Sequence, residues 1–290
     1  MHAMDSSESD IVRRTLERPD VHRKWIGDFY TDDSSRFYEA AFDRIATLLA
    51  SREKSTFLDA GCGDGAHTVR LASRGYPVVA LDFSPYILSE ARENVTANHL
   101  MHMVTFEHGS LLSLPFADGA FEFVLCWGVL MHIPEVETAI SELARVVKPN
   151  GFLIISENNM WSIESTLVRI VRRMLGRTLL KRLSGKEAAD LRISAAGAEY
   201  WRQTEAGPLI CRETRISWLT ARLASHGFIV RKRMPGEFIE RHAAVPTKLL
   251  KRWIHKFNLA WFSYLRLPQP AVGNLLLFQK TGARPSANWR

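Results

Sequence analysis

The chain has 290 residues, 46% of them hydrophobic and 24% charged, with a formal net charge of +7. Such a length and composition support one substantial buried core and exclude a disordered or fibrous chain. Three widely spaced cysteines, Cys62, Cys126 and Cys211, give neither a disulfide framework nor a metal cluster, and no apolar run reaches the ~18 residues of a bilayer span.

Residues 1–20 are polar and charged and are expected to form a flexible N-terminus. Residues 21–50 read as helical, with Phe37, Ala41, Ile45 and Leu48 at helix spacing. Trp25, Tyr30, Phe37 and Tyr38 along this stretch either pack on the core or offer aromatic surface to a cation.

Residues 57–65, Phe-Leu-Asp-Ala-Gly-Cys-Gly-Asp-Gly, then empty a short apolar strand into three alternating glycines ahead of a helix. Glycine lets a ligand approach the backbone closely, and the N–H groups at a helix start favour a carboxylate or phosphate. Tyr76–Leu81 reads as a second buried strand of a parallel sheet. Asp82 stands at its carboxyl end, where an acid can accept both hydroxyls of a ribose. In an open α/β sheet these features share one crevice outside the carboxyl ends of the strands. Ala66 occupies the last position of a Gly-x-Gly-x-x-Gly/Ala pattern begun at Gly61, so glycine spacing alone leaves a dinucleotide open.

Phe123–Trp127 is the expected fourth strand, delivering Trp127, Gly128, Leu130 and His132 into that crevice. The ordinary pKa of imidazole suits proton removal near neutrality, so His132 is the candidate general base. The alternative is a structural histidine in the turn before Pro134. Cys126 reads as a buried apolar residue rather than a nucleophile.

Phe152–Ser156 is the expected fifth strand, and residues 157–213 form a long insertion before a helix starting at 215–220. Gly227–Arg231 and Asn274–Gln279 read as strands six and seven, separated by a second insertion at about 235–270. In the first insertion Leu167, Ile170, Val171 and Met174 share a helical face opposite Arg169, Arg172 and Arg173. In the second, Leu249, Trp253, Phe257, Ala260 and Tyr264 oppose Lys251, Arg252, His255 and Lys256. Basic amphipathic helices of this kind either lie in a lipid headgroup layer or pack their stripes on the core. The charge is divided in the same sense. Residues 1–150 carry 14 Lys+Arg against 22 Asp+Glu, and residues 151–290 carry 24 against 9. The basic half attracts anions: phosphate, an acidic lipid surface or nucleic acid.

Four motifs stand in order: Leu58–Gly65, Leu81-Asp82-Phe83-Ser84, Leu114–Glu122 and Arg145–Gly151. Together they resemble the class I S-adenosylmethionine-dependent methyltransferases, in particular the ubiquinone and menaquinone biosynthesis group, over roughly residues 55–156. The resemblance implies an α/β fold, a Rossmann-like seven-stranded sheet that is mostly parallel with the last strand antiparallel. Helices cover both faces, and the insertions form a helical cap. It divides the chain into a flexible segment 1–20, N-terminal helices and cofactor-binding core 21–156, a helical cap insertion 157–213, and the end of the core sheet 214–290.

S-adenosyl-L-methionine is the implied cofactor, and no metal is implied. By the resemblance the Gly61–Gly65 turn holds its methionine part, with Gly61, Cys62 and Gly63 as the binding residues and Asp59 ordering the turn. Asp82 grips the ribose, Phe83 lies against the adenine and Trp127 lies beneath the sulfonium. Where the family carries an acid for the adenine amine this chain has Ser110, whose hydroxyl can still accept a hydrogen bond with the backbone of Leu111 assisting. No Asn-Pro-Pro-Tyr-like turn follows the fourth strand, which disfavours methylation of an amide or of the adenine amine. The expected reaction is methyl transfer to an oxygen of a small-molecule or lipid-linked acceptor. The expected setting is cytoplasmic, with peripheral contact at an anionic inner membrane face. An RNA methyltransferase, acting on tRNA for example, and a non-catalytic binding module are the alternatives.

Overall fold

The computed structural model describes residues 7–22, 32–184, 191–204, 207–240 and 247–282. Its centre is a seven-stranded sheet built from β1 (Phe57–Ala60), β2 (Val78–Asp82), β3 (Val104–His108), β4 (Phe121–Trp127), β5 (Val147–Asn158), β9 (Phe228–Pro235) and β10 (Gly273–Lys280). The spatial order is β3-β2-β1-β4-β5-β10-β9. β1 pairs in parallel with both β2 and β4, whereas β10 runs antiparallel to β5 and β9. The strand order therefore reverses direction between β1 and β4, which opens a crevice at their carboxyl ends.

Continuous apolar runs form the central strands because both faces of the sheet are covered. One face buries Phe57, Leu125 and Ile154 against α2 (Asp32–Leu49), α3 (Ala66–Ser73) and α4 (Pro85–Ala97). The other buries Leu58, Val124 and Ile155 against α5 (Val136–Val146) and α7 (Ile216–Ser225). On α2 the stripe Phe37, Ala41 and Ile45 is buried as its spacing predicts, and Leu49 closes it. The Ser84 hydroxyl accepts from Ile87 N–H at 3.4 Å to start α4, with Pro85 in its first turn.

Two expectations are corrected. The N-terminus is not wholly a flexible lead-in: residues Glu8–Leu16 form α1, whose Val12 packs on Leu209 and Ile210. The Thr15 hydroxyl donates to the Pro208 carbonyl at 2.9 Å. A polar average over the segment concealed one apolar side. The 157–213 insertion, in turn, is not purely helical. After α6 (Ile163–Ser184) it forms a three-stranded antiparallel sheet of β6 (Leu191–Ile193), β7 (Gly197–Thr204) and β8 (Gly207–Thr214). The second insertion carries α8 (Lys248–Ala260), which continues into a π turn at Trp261–Leu265.

Candidate functional site

The crevice is built on the β1 turn. Gly61, Gly63 and Gly65 have φ of +81°, +54° and +77°, a left-handed region that residues with a Cβ enter at a cost. The three are not equivalent. A Cβ on Gly61 would sit 2.6 Å from Val129 Cγ2, and one on Gly65 3.1 Å from Ala91, whereas one on Gly63 would meet nothing within 4 Å. Gly61 and Gly65 are glycine because protein crowds them. Gly63 faces open space, as does Gly128 across the crevice at the end of β4, with φ of +69°. These two positions give a ligand access to the backbone. The substitution Gly61→Ala, which adds a clash to the cost of its φ, is accordingly expected to lower the melting temperature sharply, whereas Gly63→Ala should bind cofactor at least tenfold more weakly with a smaller loss of stability. Thermal unfolding and calorimetric titration of the two variants separate the cases, and equal stability losses would refute the distinction.

Asp82 organises the turn from the end of β2. Its Oδ2 accepts from Gly63 N–H and its Oδ1 from Ser84 N–H, each at 3.1 Å. Burial raises its pKa, opposed by these two N–H donors. Asp59, at the end of β1, accepts from the Thr68 hydroxyl at 2.7 Å and so ties the strand to α3. Burial pushes its carboxyl up to about 7, against the lowering effect of that hydrogen bond. At the first turn of α3 the Ala66 N–H donates to Asp64 Oδ1 at 3.2 Å, so the chain supplies its own carboxylate to this helix start. Asp64 and Asp82 thus flank the turn at one end of the crevice, and their carboxylates favour a positively charged ligand group. The Cys62 thiol is buried and its pKa is raised well above the ordinary value by burial, while its backbone shapes the turn, the N–H donating to the Leu81 carbonyl at 2.9 Å and the carbonyl accepting from Gly65 N–H at 3.0 Å.

The remaining predicted residues are placed as follows. Phe83 is half-buried beside Asp82, and the Arg13 guanidinium of α1 lies 5.9 Å from the centre of its ring. No motif points to Arg13, because the polar composition of residues 1–20 gives no sign of the helix that carries it. Ser110 uses its hydroxyl locally, accepting from Leu112 N–H at 3.1 Å, and Leu111 is buried. The Trp127 ring is stacked on Phe42 at 5.5 Å and lies 4.8 Å from His67, with Tyr38 edge-on at 6.0 Å. Phe37 and Tyr38 are buried, and Trp25 and Tyr30 lie outside the described residues.

His132 ends a short 3-10 turn at Leu130–His132. Its Nδ1 lies 2.7 Å from the Ile210 carbonyl of β8. A carbonyl only accepts, so Nδ1 carries the proton and the lone pair resides on Nε2. Burial, aided by the charges of Arg202 and Arg212 and opposed by that hydrogen bond, holds the imidazole down to about 4. The ring is therefore neutral across the physiological range.

The loop carrying His132 is clamped by a residue that no motif pointed to. Arg212 of β8, with a side chain 2% exposed, donates to the Leu130 carbonyl at 2.9 Å and the Ile133 carbonyl at 3.0 Å. Its Nε donates to Glu199 at 2.8 Å. Next to it, Glu157 at the end of β5 accepts from the Thr214 hydroxyl at 2.6 Å, and burial pushes its carboxyl up to about 7. Among the described residues, no group of three or more His, Cys, Asp and Glu side chains could hold a metal ion.

Residues 58–155 match the sequence family described as the methyltransferase domain. A demethylmenaquinone methyltransferase of Bacillus licheniformis is 32% identical over 120 residues, covering 40% of this chain and 50% of that protein. The 27-O-demethylrifamycin SV methyltransferase of Amycolatopsis mediterranei is 30% identical over 133 residues, 44% of this chain and 49% of that protein. The chain thus spans about half the length of the curated relatives it matches. Among solved structures, a magnesium protoporphyrin IX methyltransferase from Synechocystis PCC 6803 with bound SAH superposes with a TM-score of 0.61 at 16% identity. That likeness covers 93% of this chain and 99% of the other, and it concerns the fold.

Proposed function

We propose, for a chain whose residues 58–155 match the methyltransferase domain family, that it is a class I S-adenosylmethionine-dependent methyltransferase and transfers the cofactor's methyl group to an oxygen of a small-molecule or lipid-linked acceptor. The observation that carries this reading is the pairing of Gly63, open to the crevice, with the Asp82 carboxylate that holds its N–H. The relatives named for a demethylated menaquinone and a 27-O-demethylated rifamycin support a small acceptor, and the second name specifies an oxygen.

The cofactor supplies a methyl group on a good leaving group, so the protein's contribution is to hold two reactants in line and to exclude water. Asp82 would receive the ribose hydroxyls, and the Gly61–Gly63 turn would hold the methionine part. Asp59 keeps β1 and α3 in register beneath them. Phe83 would hold the adenine, with Ser110 and Leu111 beside it, and Trp127 would lie at the methyl-bearing end. The acidic groups of the turn complement the positive charge of the sulfonium.

His132 takes the acceptor's proton. Although its pKa of about 4 makes it a weak base at equilibrium, a hydroxyl oxygen that has begun to bond to a methyl group becomes strongly acidic, and a neutral imidazole is sufficient to receive its proton late in the step. The expected pH profile of kcat/KM lacks the limb near 6.5 of an ordinary histidine and falls only toward pH 4. His132→Ala should lower kcat about 100-fold or more with cofactor affinity unchanged. Turnover within threefold of wild type would remove the assignment.

The decisive experiment for the whole reading incubates the protein with methyl-labelled cofactor and fractionated small-molecule, lipid and RNA pools. Label in the small-molecule or lipid pool as an alkali-stable ether is the expected result. Label in RNA would favour the alternative suited to the basic half, and cofactor binding without any transfer would favour a non-catalytic module.

A further inference from the structure

The large apolar side chains exposed on this protein are concentrated on the two insertion helices. On α8 and the turn after it Leu249 is 68% exposed, Trp253 62% and Tyr264 83%. On α6 Leu167 is 55% and Met174 79% exposed, and Trp161 just before that helix is 62% exposed. Both helices are inverted relative to one that packs on a core. α8 turns His255 and Asn258 inward, both buried, while Leu249, Trp253 and Phe257 face out. Asn258 is committed to the interior, accepting from the Phe238 and Ile239 N–H groups at 3.1 and 3.0 Å. α6 likewise buries Ser165 and exposes Leu167, Ile170 and Val171. A soluble helix places its apolar stripe inward, so the stripes legible in the sequence do not serve the core of this chain.

The loop residues around Glu240 and Pro270 tie the start of α6 to the segment that carries α8. The Glu240 N–H donates to Glu164 at the start of α6, while Asn258 holds the two residues before it. The Ile163 N–H donates to the Pro270 carbonyl beyond the π turn. This junction adjoins the carboxyl end of β5, the same edge of the sheet onto which the crevice opens.

Charge identifies what this face fits. Residues 247–270 contain Lys248, Lys251, Arg252, Lys256 and Arg266 and no acidic residue. Lys256 lies over the Trp253 ring at 5.5 Å, so apolar and cationic groups alternate on one surface. Exposed Trp and Leu flanked by Lys and Arg match a lipid headgroup layer, in which rings enter the boundary and ammonium groups reach anionic heads. Among the described residues, no helix is long and apolar enough to cross a membrane. From these observations we propose that the outward face of α8 docks peripherally on an anionic lipid bilayer, with Leu249, Trp253 and Phe257 entering the headgroup region. The docking is independent of methyl transfer.

The test is sedimentation of the full chain with phosphatidylglycerol–phosphatidylcholine vesicles and with phosphatidylcholine alone, at low and high salt. Wild type should partition onto the anionic vesicles, with binding weakened by salt. L249E/W253E changes two exposed positions and should reduce partitioning at least about tenfold. K251E/K256E should reduce it severalfold and flatten the salt dependence. Calorimetric titration with S-adenosylmethionine, expected to be unchanged in both variants, confirms that they fold and distinguishes loss of docking from failure of the cofactor reading. Wild type remaining in the supernatant at low salt would overturn the proposal. So would L249E/W253E binding vesicles as wild type does, RNA binding with no vesicle binding, or a dimer by light scattering that L249E/W253E dissociates.

Discussion

Replacing Arg212 with alanine is expected to destabilise the protein by roughly 3–5 kcal/mol, the cost of breaking a buried ion pair and leaving its partner behind. Arg212 joins the small sheet of the insertion to the loop after β4. Its removal leaves the Leu130 and Ile133 carbonyls and the Glu199 carboxylate without this donor. Arg212→Lys should recover only part of the loss, because a compact ammonium lacks the planar fork whose separated N–H groups reach all three acceptors. Urea unfolding measures the effect directly. A shift below about 1 kcal/mol would mean that the insertion is not fastened to the loop through this residue. Because the same loop carries His132, Arg212→Lys should also lower kcat more than it raises KM for the cofactor.

The second large effect is expected at Asp82. Two hydrogen bonds from ribose hydroxyls to a carboxylate are worth about 1.5–3 kcal/mol each, so Asp82→Ala should weaken S-adenosylmethionine binding about 100-fold or more. The same substitution releases Gly63 N–H and Ser84 N–H, which loosens the turn and adds to the loss. Asp82→Asn retains an accepting oxygen without the charge and should fall between. Titration calorimetry with S-adenosylmethionine and its demethylated product provides the measurement, with circular dichroism to verify the fold. A loss smaller than threefold for the alanine variant would sink the ribose assignment and with it the proposed orientation of the cofactor.

Residues whose roles depend on near neighbours were legible in the chain itself. Gly61, Gly63 and Gly65 encode a turn because only glycine enters their left-handed φ at no cost. The apolar runs at β1, β2, β4 and β5 encode strands buried on both faces. The position of Asp82 at the end of β2 follows from strand length alone. Within that frame the sequence could not separate Gly61, crowded by Val129, from Gly63, which meets nothing. The distinction depends on a residue that lies 68 positions away from Gly61.

What the sequence determined by itself was therefore the α/β core and the crevice, since these follow from local conformational preference and from the period of apolar residues, whereas the candidate cofactor contacts came from the resemblance of its motifs to a known family. Tertiary structure alone decided the rest. It folded part of the 157–213 insertion into a sheet, fastened α1 to β8, and set Arg212 beneath the His132 loop. It also held the His132 imidazole down to about 4 through burial. Periodicity showed that α6 and α8 each carry an apolar stripe, but a stripe has no direction until the helix is docked. The docking turns these two stripes outward, because the inner positions are held by Ser165, His255 and Asn258.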